Sequence, residues 1–406
     1  MPSTDPFAEL IAPFSRRGVD LGLERIEAAL AELGHPERSF QVVQVAGTNG
    51  KGSIGTMVER IATAAGLRCG LYTSPHLISW CERIRLPEGL ISEAQLKSLL
   101  QRLQPLALRH DLTPFELITV ASFVAFAEAQ VELAVLEVGL GGRLDATTAH
   151  SKRSVLAFAS IGMDHTEHLG DSLAAIAREK AAVMHQGAVA ISGPQHPDAA
   201  AVLEKEAKRL GCRLQWCHPL PSEQEGGPRL GLQGDLQRLN AAVALGAIEA
   251  LRAQGWNIGP SAISQGLESA RWAGRLERRC FAGRPLLLDG AHNPPAAAAL
   301  RRELTGGARR WLIGIQRHKD APELLRLLLQ PGDQLRICAL PEHSSWSAAE
   351  LRAALDPALA ESTTLDAAEA DLASNLPWLV ESPNLPVACG SLYLVGALLP
   401  LVEATD

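Results

Sequence analysis

The sequence predicts an α/β fold, in which a mostly parallel sheet with helices on both faces is followed by a second, smaller α/β domain. The apolar segment "FQVVQV" precedes a glycine-rich turn and the helical segment "IGTMVERIATAAG". Further on, "VELAVLEVGLGG" and "SVLAFASIGMDH" alternate with the helical "SLAAIAREKAAVM". A second alternation begins with "RPLLLDGAHNPPAAAAL". Strands that alternate with helices in this way form parallel sheets.

The first strand leads into "VAGTNGKGS", residues 45–53, which has the pattern of a phosphate-binding loop. Glycines let backbone N–H groups turn inward, and the start of the following helix carries a partial positive charge. Lys51 is placed to reach the outer phosphates, and Ser53 supplies a hydroxyl for Mg²⁺. Gly52 stands between Lys51 and Ser53, whereas in the common motif the hydroxyl residue directly follows the lysine. A glycine-rich turn that binds no phosphate is therefore the alternative interpretation.

Polar residues at the carboxyl ends of the next strands are the further candidates, since ligands of parallel sheets lie beyond those ends. Glu137 ends "AVLEVGLGG" and is a candidate Mg²⁺ ligand or a surface ion-pair residue. Asp164 and His165 are predicted to end the following strand. His165 is a candidate base, and as a metal ligand it needs further support because Mg²⁺ disfavours imidazole.

Two more residues are candidates for the site, and each also has a purely structural interpretation. Ser74 stands before Pro75 after a strand, where a hydroxyl can contact a metal or phosphate, or simply form a turn. Lys180 stands on the helix "REKAAV" and is otherwise a solvated lysine.

The second alternation predicts a separate domain, with the boundary between residues 270 and 279. We expect an ATP-binding domain over residues 1–273 and a C-terminal domain over 274–406. Asp289 and His292 follow a buried strand in "LLLDGAHNP", which places a candidate site on the second domain. The stretch "HPLPSEQEGGPRLGLQGD" is interpreted as a surface excursion of the first domain.

Composition narrows the classes of partner. The 406 residues are 47% hydrophobic and carry a formal net charge of −7 without a basic run, so nucleic acid is not the expected partner. No apolar run is long enough to span a membrane and no signal peptide is evident, so we expect a cytoplasmic protein. The seven scattered cysteines are expected to be free thiols.

Taken together, the segments resemble the folate branch of the Mur ligase superfamily. Ten blocks occur in the family's order, among them "RGVDLGLERI", "VAGTNGKGS", "TSPHLISWCERIRL", "LEVGLGGRLDATT" and "LDGAHNP". The resemblance implies a Mur-ligase-like P-loop domain with a smaller Rossmann-like C-terminal domain. It also implies an ATP-dependent ligase that phosphorylates a carboxylate and joins L-glutamate to it, with ATP and two Mg²⁺ ions, acting as a monomer.

The resemblance assigns roles to the candidates. Catalysis would involve Lys51, His165 and Lys180, the last matching a lysine that the family carries as a carbamate. ATP would be bound by Gly47, Thr48, Asn49, Gly50, Lys51, Gly52, Ser53, Asn240, Arg275 and Asp289. The metal would be held by Ser53, Ser74, Glu137 and His165.

The substrate side of the resemblance rests on three segments that match dihydropteroate contacts and on two weaker glutamate candidates. The segments are Gly18, Val19 and Asp20, then Thr113, Pro114, Phe115 and Glu116, then Leu144, Asp145 and Ala146. The glutamate candidates are His292 and Ser391. One mismatch with the family is His318, where an acidic residue is expected.

The resemblance favours a bifunctional enzyme that acts on dihydropteroate and on reduced folates. A folylpolyglutamate synthase without the first activity is the nearest alternative. A peptidoglycan Mur ligase fits less well, because only about forty residues precede the phosphate loop. A nucleotide-binding protein without catalysis would be expected to lack the metal and lysine positions, which are present here.

Overall fold

The computed structural model describes residues 6–17, 20–341 and 343–404. The chain divides into two compact units, Met1–Leu232 with Leu236–Arg271 and Gln233–Asp235 with Trp272–Asp406. Each unit contains its own sheet and its own hydrophobic core. The predicted α/β fold class is confirmed.

The first unit is built on a sheet in the order β4-β3-β2-β5-β1-β6-β7-β8, parallel except for the two strands at one edge. Val45 of β1 lies opposite Glu137 of β5, and β6 pairs with the other side of β1. Because these three strands run in parallel, the segments that follow them meet at one edge of the sheet. The strands are β1 Gln41–Ala46, β2 Cys69–Tyr72, β3 Ile84–Leu86, β4 Gly89–Leu90, β5 Leu133–Glu137, β6 Val155–Phe158, β7 Val189–Ser192 and β8 Arg213–Trp216.

The helices of this unit cover both faces of the sheet. Gly266 allows two of them, α3 and α10, to come close, since a Cβ there would lie 2.4 Å from the Cα of Ile61. Helix α5 is almost entirely buried, and Phe126 packs edge-on against Phe40 at 5.7 Å. The helices are α1 Ala8–Ile11, α2 Glu24–Glu32, α3 Lys51–Ala64, α4 Glu93–Arg109, α5 Pro114–Glu128, α6 Thr166–Leu169, α7 Leu173–Ala181, α8 Pro197–Leu210, α9 Asp235–Ala253 and α10 Pro260–Ser269.

The second unit has a sheet in the order β13-β12-β11-β14-β10-β9-β15, in which β9 runs antiparallel to both neighbours. Its strands are β9 Glu277–Phe281, β10 Arg284–Leu288, β11 Arg310–Ile313, β12 Gln334–Ile337, β13 Thr364–Ala367, β14 Val387–Cys389 and β15 Glu403–Ala404. Its helices are α11 Pro294–Glu303, α12 Ala321–Leu328, α13 Ala348–Ala354, α14 Pro357–Ser362, α15 Leu376–Val380 and α16 Leu392–Leu398.

One predicted strand end was wrong. Strand β6 ends at Phe158, so Asp164 and His165 lie on the loop beyond it rather than at its end. The reason is that the chain after β6 turns toward the glycine loop, where the carbonyl of Ser160 accepts the N–H groups of Thr48 and Asn49. None of the helices in the described ranges is long and apolar enough to cross a membrane.

Candidate functional site

The turn between β1 and α3 requires glycine at two positions. Gly47 has a φ of 134° and Gly50 a φ of 102°, values that L residues with a side chain rarely adopt. A Cβ on Gly47 would lie 2.7 Å from the Cβ of Ala159, and one on Gly50 would lie 2.4 Å from Asn240 Oδ1. The loop is therefore packed tightly between the β6 loop and helix α9, and the side chain of Asn240 lies against it.

The glycine loop is also fixed by hydrogen bonds to the segment after β6. Thr48 Oγ1 donates to the carbonyl of Gly162 and accepts from its N–H, both at 3.1 Å. Ser160 Oγ donates to the carbonyl of Asn49 at 3.0 Å. A loop held from outside in this way keeps its conformation without a ligand, which favours binding because little ordering is left to be done.

Lys51, in the first turn of α3, lies next to a buried carboxylate. Its Nζ is 3.9 Å from Glu137 Oε1 and donates to the carbonyl of Thr48 at 3.1 Å. Glu137 is 5% exposed, and its Oε2 accepts the backbone N–H of Ser74 at 3.3 Å. Three predicted residues, on α3, β5 and the loop after β2, thus meet at the carboxyl edge of the sheet.

The residues here fit a Mg²⁺ site that is completed by phosphate oxygens. Ser53, in the first turn of α3, is 1% exposed, and none of the described residues bonds its Oγ. A buried hydroxyl of that kind is costly unless a ligand uses it. No three carboxylate, imidazole or thiol groups come together as a metal site in the described part of the chain. Mg²⁺ does not require this, because it commonly takes one or two carboxylates, phosphates and water.

Lys180 is buried near the loop instead of being solvated. It is 5% exposed on α7, and its Nζ donates to the carbonyl of Gly47 at 2.9 Å. Burial, followed by repulsion from the Lys51 ammonium, lowers the pKa of Lys180 to about 7. A large part of this lysine is therefore neutral at physiological pH, and a neutral amine is a nucleophile.

His165 lies on the loop that packs against the glycine turn. It has a φ of 50°, and its side chain is 40% exposed. Nε2 lies 4.0 Å from Asp164 Oδ2, and Nδ1 lies 3.7 Å from Glu167 Oε1. The imidazole thus stands among carboxylates near the carboxyl edge of the same sheet.

The predicted substrate residues at the start of α5 form a capping box. Thr113 Oγ1 accepts the N–H of Glu116, whose Oε2 accepts the N–H of Thr113 at 2.7 Å. Pro114 occupies the first turn of α5, where a backbone N–H has no helical partner and its absence breaks no hydrogen bond. Phe115 lies over Gly139, where a Cβ would be 2.5 Å from the ring.

Arg25 is a residue that the sequence did not single out. Its Nε donates to both carboxylate oxygens of Glu116 at 3.1 Å, and its other nitrogens bond Asp20 Oδ2 and the Asp20 carbonyl at 3.1 and 2.7 Å. It thus ties two of the predicted substrate segments together. The predicted Gly18 and Val19 lie outside the described residues.

Asp145 has its carboxylate committed to the backbone around it. Oδ2 accepts the N–H groups of Gly139 and Leu140, and Oδ1 accepts the N–H and hydroxyl of Thr147. At 1% exposure it fixes the loop after β5 and the turn that begins with the buried Ala146. Leu144, beside it, is half-buried.

The second unit brings its own candidates to the carboxyl ends of β10 and β14. Asp289 is 8% exposed and accepts the N–H groups of Leu276 and Ala291 at 2.9 and 2.8 Å. Burial raises the pKa of Asp289, and the Arg275 guanidinium opposes that rise. A Cβ on Gly290 would lie 2.3 Å from Arg275 Nη1, so glycine lets the arginine approach the strand end.

His292 and Ser391 lie at the starts of the helices that follow these strands. His292 Nδ1 is 2.7 Å from the carbonyl of Gly290, and Ser391 Oγ accepts the N–H of Tyr393 at 3.1 Å. Lys319, on the loop after β11, is 8% exposed at the same edge, although the sequence drew attention only to its neighbour His318. The sequence could have pointed to Lys319, because it follows one of the strands in the second series of alternating strands and helices.

The comparisons with known proteins cover almost the whole chain. The family model described as "Mur ligase middle domain" matches residues 45–209, and "Dihydrofolate synthetase, C-terminal domain" matches residues 282–401. The dihydrofolate synthetase of Saccharomyces cerevisiae is 32% identical, over 94% of this chain and 97% of the relative. The dihydrofolate synthase/folylpolyglutamate synthase of Escherichia coli is 31% identical, over 95% and 92%.

A solved structure agrees in fold. The bifunctional folylpolyglutamate synthase/dihydrofolate synthase of Yersinia pestis, complexed with AMPPNP and Mn, aligns with a TM-score of 0.84 at 30% identity. The alignment covers 97% of this chain and 96% of that one.

Proposed function

The chain belongs to the dihydrofolate synthase/folylpolyglutamate synthase family of Mur-type ligases, and we propose that it catalyses both reactions of that family. In the first, L-glutamate is joined to dihydropteroate, giving dihydrofolate. In the second, further glutamates are added to reduced folates. Each reaction consumes one ATP and passes through an acyl phosphate.

The observation that carries this proposal is the geometry at the start of α3. An ammonium and a carboxylate lie 3.9 Å apart beside a preformed glycine loop, and a buried hydroxyl follows two residues after Lys51. That arrangement suits the transfer of a phosphoryl group from ATP, where catalysis consists of positioning and charge neutralisation. The loop would bind the phosphates, and Lys51 would neutralise charge that develops on the transferred group.

The reaction needs this activation because a carboxylate is a poor electrophile. Its oxygen attacks the γ-phosphorus of ATP, the bond to the β-phosphate oxygen breaks, and ADP leaves. The amine of glutamate then attacks the acyl carbon, the carbon–oxygen bond breaks, and inorganic phosphate departs as the amide forms. The protein has to hold the carboxylate in line with the γ-phosphate for the first step, present the amine to the acyl carbon for the second, and exclude water from the acyl phosphate.

We assign the metal to Ser53, Ser74, Glu137 and His165. When bound, Mg²⁺ neutralises the phosphate oxygens and orients the phosphoryl group. Two ions are proposed, by resemblance. The lowered pKa of Lys180 supports its carbamylation, because a neutral amine reacts with carbon dioxide and the product offers oxygens to a metal. Gly47, Thr48, Asn49, Gly50, Gly52 and Asn240 are assigned to the nucleotide.

Dihydropteroate is assigned to the surface formed by Asp20, by Thr113, Phe115 and Glu116, and by the Leu144–Ala146 segment. The carboxylates of Glu116 and Asp145 are already bonded within the protein, so we assign them to holding this surface in shape. On the second unit, Arg275 and Asp289 are assigned to ATP, and His292 and Ser391 to glutamate. The protein is proposed to act as a cytoplasmic monomer.

The deciding experiment measures ADP release with Mg·ATP and L-glutamate, with dihydropteroate or tetrahydrofolate as the acceptor. Turnover with both acceptors, lost in Lys51→Ala, is the expected result. Turnover with tetrahydrofolate alone would leave a folylpolyglutamate synthase and remove the assignment of dihydropteroate to that surface. Turnover with neither would contradict the proposed function.

A further inference from the structure

A group of nitrogen donors in the second unit has no acceptor among the described residues. The atoms are Arg301 Nη1, Arg309 Nε, Trp311 Nε1 and Gln330 Nε2, each inaccessible to solvent. Arg309 is 1% exposed and Trp311 is fully buried. Buried donors without acceptors are rare in folded proteins, because each loses its bond to water and gains nothing in return.

Contacts link the four residues in pairs. Arg301 Nη2 donates to Gln330 Oε1 at 2.5 Å, which leaves the Nε2 of that carboxamide as a donor. Arg309 and Gln330 are joined through Asp333, whose two carboxylate oxygens accept their backbone N–H groups at 2.8 and 2.9 Å. The Arg309 guanidinium lies over the indole of Trp311, with Cζ 5.9 Å from the ring centroid.

The charges of this group do not balance. Arg301 and Arg309 carry two positive charges, and Asp333 supplies one negative charge. Burial, followed by repulsion from the Arg301 guanidinium, lowers the pKa of Arg309, and Asp333 opposes that change. The other two nitrogens of the guanidinium donate to the carbonyls of Leu385 and Thr305, and these bonds hold the Arg309 side chain in place.

This group lies away from the candidate site of the second unit. Arg309 directly precedes β11, whereas Asp289 directly follows β10. Both strands pair in parallel with β14, so their amino ends lie at one edge of the sheet and their carboxyl ends at the other. The group therefore belongs to the edge opposite the predicted ATP and glutamate residues.

We propose that Arg301, Arg309, Trp311 and Gln330 form a binding site for a monovalent inorganic anion, chloride in ordinary buffers. A spherical anion accepts N–H bonds from several directions and supplies the missing negative charge. A water molecule accepts at most two hydrogen bonds and carries no charge, so it would leave two of the four donors and the excess positive charge without a partner. The bound anion stabilises the second unit by relieving the repulsion between the arginines.

The test measures the thermal unfolding of the full chain as chloride replaces gluconate at constant ionic strength. The wild type is expected to show a Tm that rises with chloride and saturates, because the ligand binds only the folded form. Arg301→Gln removes one charge and is expected to abolish that rise. Arg302→Gln, an exposed neighbour on the same helix, is the matched control and should keep it.

Crystals of the wild type grown in bromide give the second readout, which does not depend on whether a variant folds. An anomalous peak within hydrogen-bonding distance of Arg309 Nε and Arg301 Nη1 is expected. Ordered water in its place would overturn the proposal. A Tm equal in chloride and gluconate, or a rise that persists unchanged in Arg301→Gln, would overturn it as well.

Discussion

At the scale of single residues, Lys180 predicts a pH dependence of stability in metal-free protein. Its pKa falls from 10.5 in the unfolded chain to about 7 in the folded one. Between these values the unfolded state binds the extra proton, so the free energy of unfolding should rise with pH, by up to about 1.4 kcal/mol per unit. Urea unfolding from pH ~7 to ~10 measures this slope.

Replacing Lys180 with methionine should flatten that slope, since methionine does not titrate. The exposed Lys205→Met on α8 is the control and should leave the slope as in the wild type. An unchanged slope in Lys180→Met would show that the burial of this lysine does not control its protonation.

Glu137 is the residue for which we expect the sharpest loss of activity. Glu137→Gln keeps the shape and removes the charge that faces Lys51 and the assigned metal. We expect ADP release to fall roughly 100-fold or more, with weaker Mn²⁺ binding and an unchanged fold. Glu132→Gln, just before the other end of the same strand, is the control. Full activity in Glu137→Gln would remove this residue from the metal site.

Single residues were predictable where a strand end or a motif marked them. Lys51 and Glu137 stand out because each follows or ends a buried strand, and their side chains lie together in the structure. Arg25 did not stand out, because its partner Glu116 is 91 residues away and nothing in one sequence links them. His165 was predicted to end its strand, which was wrong, because the loop that carries it could not be derived from hydrophobic periodicity.

At the scale of elements, the turn into α3 depends on glycine geometry. Gly50→Ala would combine a strained φ with a clash against Asn240, so we expect both stability and nucleotide affinity to fall. Gly66→Ala has the same kind of φ but no atom within 4 Å of the added Cβ. It should lose about 1–2 kcal/mol of stability while binding nucleotide normally.

Calorimetric titration with AMPPNP and Mn²⁺ compares the two glycine variants directly. If Gly50→Ala bound the nucleotide as tightly as Gly66→Ala does, the tight contact between the loop and α9 would have no part in phosphate binding.

The start of α5 depends on Arg25 from helix α2. Arg25→Gln would release Glu116 and Asp20, so we expect the KM for dihydropteroate to rise roughly tenfold while the KM for ATP stays the same. Arg25→Lys should restore only part of the affinity for dihydropteroate, since lysine lacks the forked guanidinium group that bonds both carboxylates. Arg109→Gln, which breaks an exposed ion pair on α4, is the control. Equal effects on both substrates would indicate a general loss of structure.

The elements that could be predicted are those with long apolar runs. The segments that became β1, β5, β6 and β10 were recognised from their composition, as were α3, α7 and α11. The short β3, β4 and β15 were not, since strands of two or three residues carry no periodicity. Strand β9 was missed because it is charged along much of its length.

At the scale of the whole molecule, the parallel sheet of the first unit explains how distant motifs become one site. Residues 47–53, 74, 137 and 165 are far apart in the chain, yet each follows or ends one of four neighbouring strands. The order β2-β5-β1-β6 places them side by side at one edge. The alternation of strands and helices predicted this edge, whereas the order of the strands came only from the structure.

One phosphate loop serving two reactions predicts competition between the acceptors. The sequence contains "VAGTNGKGS" once, so dihydropteroate and tetrahydrofolate should be activated at the same centre. With both acceptors at saturating concentration, ADP release should fall between the two separate rates, and Lys51→Ala should abolish both activities together. Rates that add would instead require two centres. Arg25→Gln sharpens the test, because it should shift the competition toward tetrahydrofolate without changing the rate at saturating tetrahydrofolate alone.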